Sequence, residues 1–252
     1  MVVITPRFPH PLTLLFGCIL LAAGGLLVLL WQPRWLLAML AQRSPEVVYF
    51  VETTAPIVAL TIDDGPDSVT TPAILRALAV HHARATFFLI SSRIPGNEGV
   101  VAQLVREGHE LGNHLTRDEP SINLSTPEFE QALLEAHAVL SRFAPVRWAR
   151  PGSGWYKDAM LSVLKAHNYR CALGSIYPYD ALIPAPAFAA FYILRKVRPG
   201  SIIVLHDGGA RGQRTVAVLR RILPELQRRG FRVVTLSQLV ESGARDQRTA
   251  DD

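Results

Sequence analysis

The sequence predicts an α/β protein: a parallel sheet of about seven strands with helices between them, preceded by one N-terminal apolar helix. Three observations carry this. From about residue 47 onward, short apolar runs alternate with helix-length amphipathic stretches, the pattern of strands joined by crossover helices. Five of the predicted strand ends carry carboxylates, imidazoles or a guanidinium, as expected where an active site gathers at the C-terminal ends of parallel strands. Residues 8–33 contain no Asp, Glu, Lys or Arg.

The predicted strands are residues 57–62, 85–90, 109–112, 146–149, 169–173, 202–205 and 231–236. They are β-branched or otherwise apolar runs bounded by turn residues. Helical patterns fall at 71–82, 99–107, 157–167, 186–197 and 215–229. A further helix should start after Ser125-Thr126-Pro127-Glu128 and run to about Phe143; this stretch combines a capping hydroxyl, a first-turn Pro and an early Glu. The last ten residues, 243–252, are polar and read as a frayed tail.

Ahead of this domain, residues 12–31 are almost wholly Leu, Ala, Gly, Val, Ile and Phe. Twenty helical residues span roughly 30 Å, the thickness of a bilayer's hydrocarbon. Trp31 and Trp35 stand at the end of the run, where an aromatic belt would sit. A cleaved signal peptide would have a shorter apolar core, about 7–15 residues, and a small-residue cleavage site. The expectation is therefore an uncleaved single-span anchor at 1–46, spacer included, followed by a domain at 47–242. Arg7 lies on one side of the span and Arg34 and Arg43 on the other, so the positive-inside rule is nearly tied. An extracytoplasmic domain is expected.

The 252 residues suffice for one sizeable core. The formal charge is +5, but the basic stretch 214–229 has no interleaved aromatics and reads as a solvated helix face; no nucleic-acid partner is expected. Cys18 and Cys171 are the only cysteines, too few for a disulfide framework or a cysteine zinc site.

Thr61-Ile62-Asp63-Asp64-Gly65-Pro66 ends the first strand with two carboxylates that leave it in different directions. One could bind a metal while the other handles a proton; alternatively both could cap backbone N–H groups in a turn. Around the third strand lies Gly108-His109-Glu110-Leu111-Gly112-Asn113-His114, with Asp118 four residues beyond. After the fourth comes Arg150-Pro151-Gly152-Ser153-Gly154-Trp155, beyond the fifth Tyr177-Pro178-Tyr179-Asp180, and after the sixth Leu205-His206-Asp207-Gly208-Gly209. His109 precedes Gly112 on the approach strand and reads as structural. His81, His82, His137 and His167 fall in helical segments and read as surface or packing residues.

In these five stretches, and over about residues 47–240, the chain resembles the polysaccharide deacetylases, the NodB-homology domain of carbohydrate esterase family 4. The resemblance implies a deformed (β/α) barrel and metal-assisted hydrolysis of an N-acetyl group on a sugar. It implies Asp63 as general base, His206 as general acid, Arg150 orienting the base and Asp180 tuning the acid. It implies Asp64 and His114 as metal ligands; Asp118, at the position of the third, is either that ligand or only a turn or helix-start residue, with Glu119 or water completing the site. The N–H of Ser153 is the implied oxyanion donor, with Gly154 beside it, and Trp155 and Tyr156 could form a sugar-stacking wall or simply pack over the rim. The chemistry suits these residue types. An amide is a poor electrophile that needs polarising, a guanidinium keeps a neighbouring carboxylate ionised, and a leaving amine needs a proton from an imidazole.

The pattern departs from the family at Asp118, where most members have a second histidine. Zinc follows from the resemblance, whereas two carboxylates would favour harder ions such as manganese or magnesium, with cobalt also possible. Gly152 and Ser153 replace bulkier residues of the third motif, leaving the acetyl pocket and the substrate open. The expected activity is removal of N-acetyl groups from a chitooligosaccharide, peptidoglycan or another envelope glycan. The alternatives are an O-acetyl esterase or non-sugar amidase on the same site, or a catalytically weak anchored glycan-binding module.

Overall fold

A computed structural model describes residues 11–251, apart from several side chains in the two terminal helices. Helices α1 (Pro11–Trp31) and α2 (Arg34–Arg43) lead the chain. Then come β1 (Val47–Val48), β2 (Ile57–Asp63), α3 (Thr70–Val80), β3 (Thr86–Leu89), α4 (Glu98–Arg106) and β4 (Glu110–Asn113). They are followed by α5 (Thr126–Leu140), β5 (Trp148–Ala149), α6 (Asp158–Ala166), β6 (Arg170–Ala172) and α7 (Pro186–Lys196). The chain closes with β7 (Ile202–His206), α8 (Gly209–Arg228), β8 (Arg232–Val234) and α9 (Leu236–Asp251). Two compact units result, the first ending at Leu40 and the second beginning at Ala41.

In the second unit the strands pair in parallel in the order β1-β6-β5-β4-β3-β2-β7, with β8 also on β2. Strand β2 is the axis of this sheet. Strand β7 lies along one edge, from Ala59↔Ile202 to Asp63↔His206. The other edge is shared by β8 at Ile57–Ala59 and β3 at Thr61–Asp63. All seven residues of β2 are buried, as a parallel strand covered on both faces requires. The sheet curls into a half-barrel, its ends drawn together by isolated bridges at Ile176↔Ile203 and Phe50↔Ser201. A cluster that includes Ile57, Ala59, Phe88, Trp148, Ile202 and Leu236 forms part of the core. Asp63 and His206 therefore finish side by side at the same end of this core.

The predicted strands and crossover helices are all present, and Ser125 makes the expected capping box with Glu128 ahead of α5. Three features differ. Strand β1 adds an eighth strand, too short to leave a hydrophobic pattern. Helix α8 begins at Gly209, six residues before the periodicity at 215. The polar stretch 243–251 continues α9 rather than fraying: a side chain on Gly243 would meet Val51 at 2.3 Å, and Asp246 accepts hydrogen bonds from Thr53 Oγ1 and from Thr54 N–H.

The N-terminal apolar segment is helical, with no acidic residue in the first turn of α1 and no basic residue in the last. Among the described residues no helix is long and apolar enough to cross a membrane. Arg7 and residues 8–10 lie outside the described residues, and side chains such as that of Cys18 are left out within α1. The span expected at 12–31 is accordingly not a feature of the described fold.

Candidate active site

The end of β2 sets the site. Asp63 is the last strand residue, and Asp64 immediately adopts a left-handed backbone with φ 71°, which turns the two carboxylates apart. Asp tolerates this region better than most side chains. Seven non-glycine residues have positive φ among the described residues, and four of them, Asp64, Leu115, Ser153 and Tyr179, lie in site loops. Backbone strain of this kind concentrates where side chains must be aimed.

Asp63 is buried, and its Oδ1 accepts a 2.6 Å hydrogen bond from Arg150 Nη1. The same Nη1 reaches Thr61 Oγ1 at 2.8 Å, and Arg150 Nε donates to the Ala172 carbonyl at 2.7 Å. The guanidinium carbon stands 4.1 Å from the centre of the Phe88 ring. Arg150 is thus pinned by three strands, and only its Nη2 is buried without a partner.

Across the β2–β7 register lies His206. Its Nδ1 is 3.0 Å from Asp180 Oδ1, its backbone N–H donates to Asp180 Oδ2 at 2.9 Å, and its Nε2 is 3.0 Å from the Tyr177 hydroxyl. Burial alone would lower this imidazole's pKa. The hydrogen bond to and charge of Asp180, with Asp63 and Asp64 behind, outweigh burial and raise it above its ordinary value. Asp207, next in sequence, points elsewhere: it accepts from Thr70 Oγ1 at 2.5 Å and from Thr71, tying β7 to α3.

Asp64 Oδ1 faces His114 Nε2 at 3.4 Å, and His114 Nδ1 donates to the Arg150 carbonyl at 2.6 Å. With Nδ1 committed to a carbonyl, the Nε2 lone pair faces a carboxylate, an arrangement that calls for a proton or a cation between them. Burial would raise the Asp64 carboxyl, but His114, with His206 and Arg211, holds it down at about 2. For His114 burial is likewise outweighed, by Asp64, Asp63 and the Arg150 carbonyl, and its pKa is raised. This pair fits two ligands of one divalent ion. The third expected ligand does not join them. Asp118 is held 2.9 Å from Arg93 and 3.6 Å from Arg211, with 40% of its side chain exposed, and Arg211 Nη1 lies 2.5 Å from Asp64 Oδ2. Among the described residues no three His, Cys, Asp or Glu side chains are grouped to hold a metal.

The third motif forms a tight turn, Gly152–Gly154, under the same rim. Gly152 is required sterically, since a Cβ there would sit 2.1 Å from the Glu119 carbonyl oxygen, and its N–H donates to Ser121 Oγ at 2.7 Å. Gly154 N–H donates to the Pro151 carbonyl. Ser153 is exposed, and Trp155 is 69% exposed. Tyr156 is drawn away, its hydroxyl 2.9 Å from that of Tyr49. His109 is structural as expected, its Nδ1 accepting from Ala85 N–H at 3.1 Å, and Cys171 is inert, its thiol pushed up to about 12 by burial. Sequence reasoning missed Tyr177, Thr61, Arg93 and Arg211. Tyr177 stood in a quoted motif without a role, and the two arginines belong to no pattern that separates them from surface cations.

The polysaccharide deacetylase family model matches residues 50–172. A peptidoglycan-N-acetylglucosamine deacetylase of Bacillus cereus is 35% identical over 210 residues, covering 80% of this chain and 98% of that one. A chitooligosaccharide deacetylase of Sinorhizobium fredii is 34% identical over 200 residues, covering 74% and 93%. Among solved structures, a peptidoglycan N-acetylglucosamine deacetylase in complex with a naphthalenyl N-oxidanyl-benzamide superposes with a TM-score of 0.73 at 28% identity, covering 78% of this chain and 94% of that one. A family 4 acetyl xylan esterase from Clostridium thermocellum, in complex with a cobalt ion, gives 0.66 at 30% identity, covering 73% and 89%. With the half-barrel and the clustered strand ends already in place, these likenesses fix the relationship: the chain belongs to the polysaccharide deacetylase family.

Proposed function

We propose that this protein is a divalent-metal-dependent N-deacetylase of an N-acetylated envelope glycan, of the peptidoglycan or chitooligosaccharide type, releasing acetate. The observation that carries the reading is the pairing of Asp63 with His206 on adjacent strands, each buried and each clamped by its own partner. Asp63, held and aimed by Arg150 at 2.6 Å, takes the proton of the attacking water. His206, its pKa raised by Asp180, returns a proton to the leaving sugar amine. Tyr177 limits the directions in which His206 Nε2 can deliver it. Asp64 and His114 would hold the metal, which supplies Lewis-acid polarisation of the acetyl carbonyl when bound. The Ser153 N–H, at the exposed lip of the Gly152–Gly154 turn, is the proposed donor to the developing oxyanion.

The test is acetate release from a panel of N- and O-acetylated glycans after loading with manganese, cobalt or zinc. N-acetylglucosamine oligomers or peptidoglycan should release acetate, and Asp63→Asn should lower the rate at least about 100-fold. Release from O-acetyl esters alone would favour an esterase, a second reading that the likeness to the acetyl xylan esterase supports. Sugar binding without acetate release under any metal would leave a binding module.

The charge-free run at 8–33 further supports an uncleaved N-terminal anchor, with the catalytic unit on the extracytoplasmic side, where envelope glycans lie.

A further inference from the structure

The Asp64–Asp118 pair is already neutralised by two arginines of the chain itself. Arg93 donates through Nη1 to the Asp64 carbonyl and through Nη2 to Asp118 Oδ2. Arg211 lies on Asp64 Oδ2 at 2.5 Å and reaches Asp118 at 3.6 Å. Two guanidinium charges balance two carboxylate charges, and a divalent ion entering beside His114 would add two positive charges to a balanced set. At a few ångströms in a partly buried site such repulsion is substantial.

The placement of Arg211 is held by its helix. It sits in the first turn of α8, where the macrodipole disfavours a cation unless a nearby anion compensates. Next to it, Gly212 packs against α3 so closely that a Cβ would sit 2.4 Å from Thr70 and 2.5 Å from Asp207 Oδ1. The helix start therefore cannot shift, and Arg211 is presented to Asp64. Beside it a cleft of about 250 Å³, lined by Asp67, Asp207 and Gly208 among others, offers room for the side chain to move into.

We propose that Arg211 is an intrinsic competitor for the metal site, its guanidinium occupying the open side of Asp64 so that a divalent cation binds only by displacing it. Arg211 thereby sets metal affinity, while Asp118 stays paired with Arg93 at 2.9 Å. This rests on the reading of Asp64 and His114 as metal ligands, and the experiment separates the two.

Manganese and zinc binding to the metal-stripped full chain in detergent is titrated by calorimetry, with thermal melts confirming that each variant folds. Arg211→Gln should bind at least tenfold more tightly than the wild type. Arg214→Gln, one turn on and equal in charge but hydrogen-bonded to the Asp180 carbonyl, should stay within about threefold of it. His114→Ala in the Arg211→Gln background should abolish binding. Unchanged or weaker affinity in Arg211→Gln, with binding still lost in His114→Ala, overturns the competitor and keeps the ligand pair. Equal tightening in Arg214→Gln overturns it as a mere field effect. No binding in wild type or Arg211→Gln overturns both readings.

Discussion

On the proposed mechanism, Asp180 and Asp64 carry the site's pH dependence, each through a histidine. With Asp180 in place, His206 is held above its ordinary pKa, so a His206 acting as the proposed acid should stay protonated, and kcat/KM should survive, to higher pH. Asp180→Asn removes the main charge that raises it. The alkaline limb of the pH–kcat/KM profile should move to lower pH by about one unit or more, with the acid limb little changed. A limb that stays in place would remove Asp180 from this role. Asp64 works in the opposite sense. Its carboxyl is depressed to about 2 by His114 once burial is overcome. The stability it contributes is present above the ordinary carboxylate pKa and lost as pH falls from near 4 towards 2. In chelator, acid should lower the wild-type melting temperature across that window, and Asp64→Asn should show a shallower fall; parallel curves would mean that the carboxylate is not held. Asp63 and His206 were legible because each closes a strand with a charged or imidazole group, and Asp64 because it follows Asp63 at once. Tyr177, Arg93 and Arg211 were not. A phenol or a guanidinium announces its partner only when folding brings two distant loops together.

Among the elements, the strands and crossover helices were readable because buried parallel strands leave unbroken apolar runs. The cap of α5 was readable because Ser125 and Glu128 stand at capping-box spacing. Ser125→Ala should cost about 0.5–2 kcal/mol of stability and leave turnover of the folded enzyme unchanged, as α5 contributes no side chain to the site; a loss of turnover at a temperature where the variant is folded would contradict this. Helix α8 was read too short because Gly209-Ala210-Arg211-Gly212 has no apolar stripe, and its first turn is fixed instead by packing on Thr70 and Asp207. At the Gly152–Gly154 turn the demand for glycine at 152 is steric. Gly152→Ala drives a methyl into the Glu119 carbonyl, so the loop carrying Ser153 must move. Stability should fall by about 1–3 kcal/mol, and acetate release should fall with it. A variant that melts and turns over like the wild type would mean the loop relaxes freely.

For the whole molecule, the question is what holds the catalytic unit near its substrate. The sequence offers two physical answers with different signatures. An inserted helix of about 20 apolar residues stays in a bilayer effectively irreversibly, whereas a net charge of +5 attracts the chain to anionic surfaces only within a Debye length, and salt screens it. Proposing the helix commits to the first. Full-length protein should pellet with membranes and remain there through washes in high salt and alkaline carbonate. A chain beginning at Ala41, where the second compact unit starts, should stay in the supernatant. On soluble chitooligosaccharide the two should turn over alike, because every proposed catalytic and ligand residue lies beyond that point. On glycan attached to the same membrane the full chain should be faster, since tethering turns encounter into a local event at high effective concentration. Release of the full chain by salt alone would assign retention to its charge. A truncated chain that still pelleted after the salt wash would assign it to a surface of the second unit.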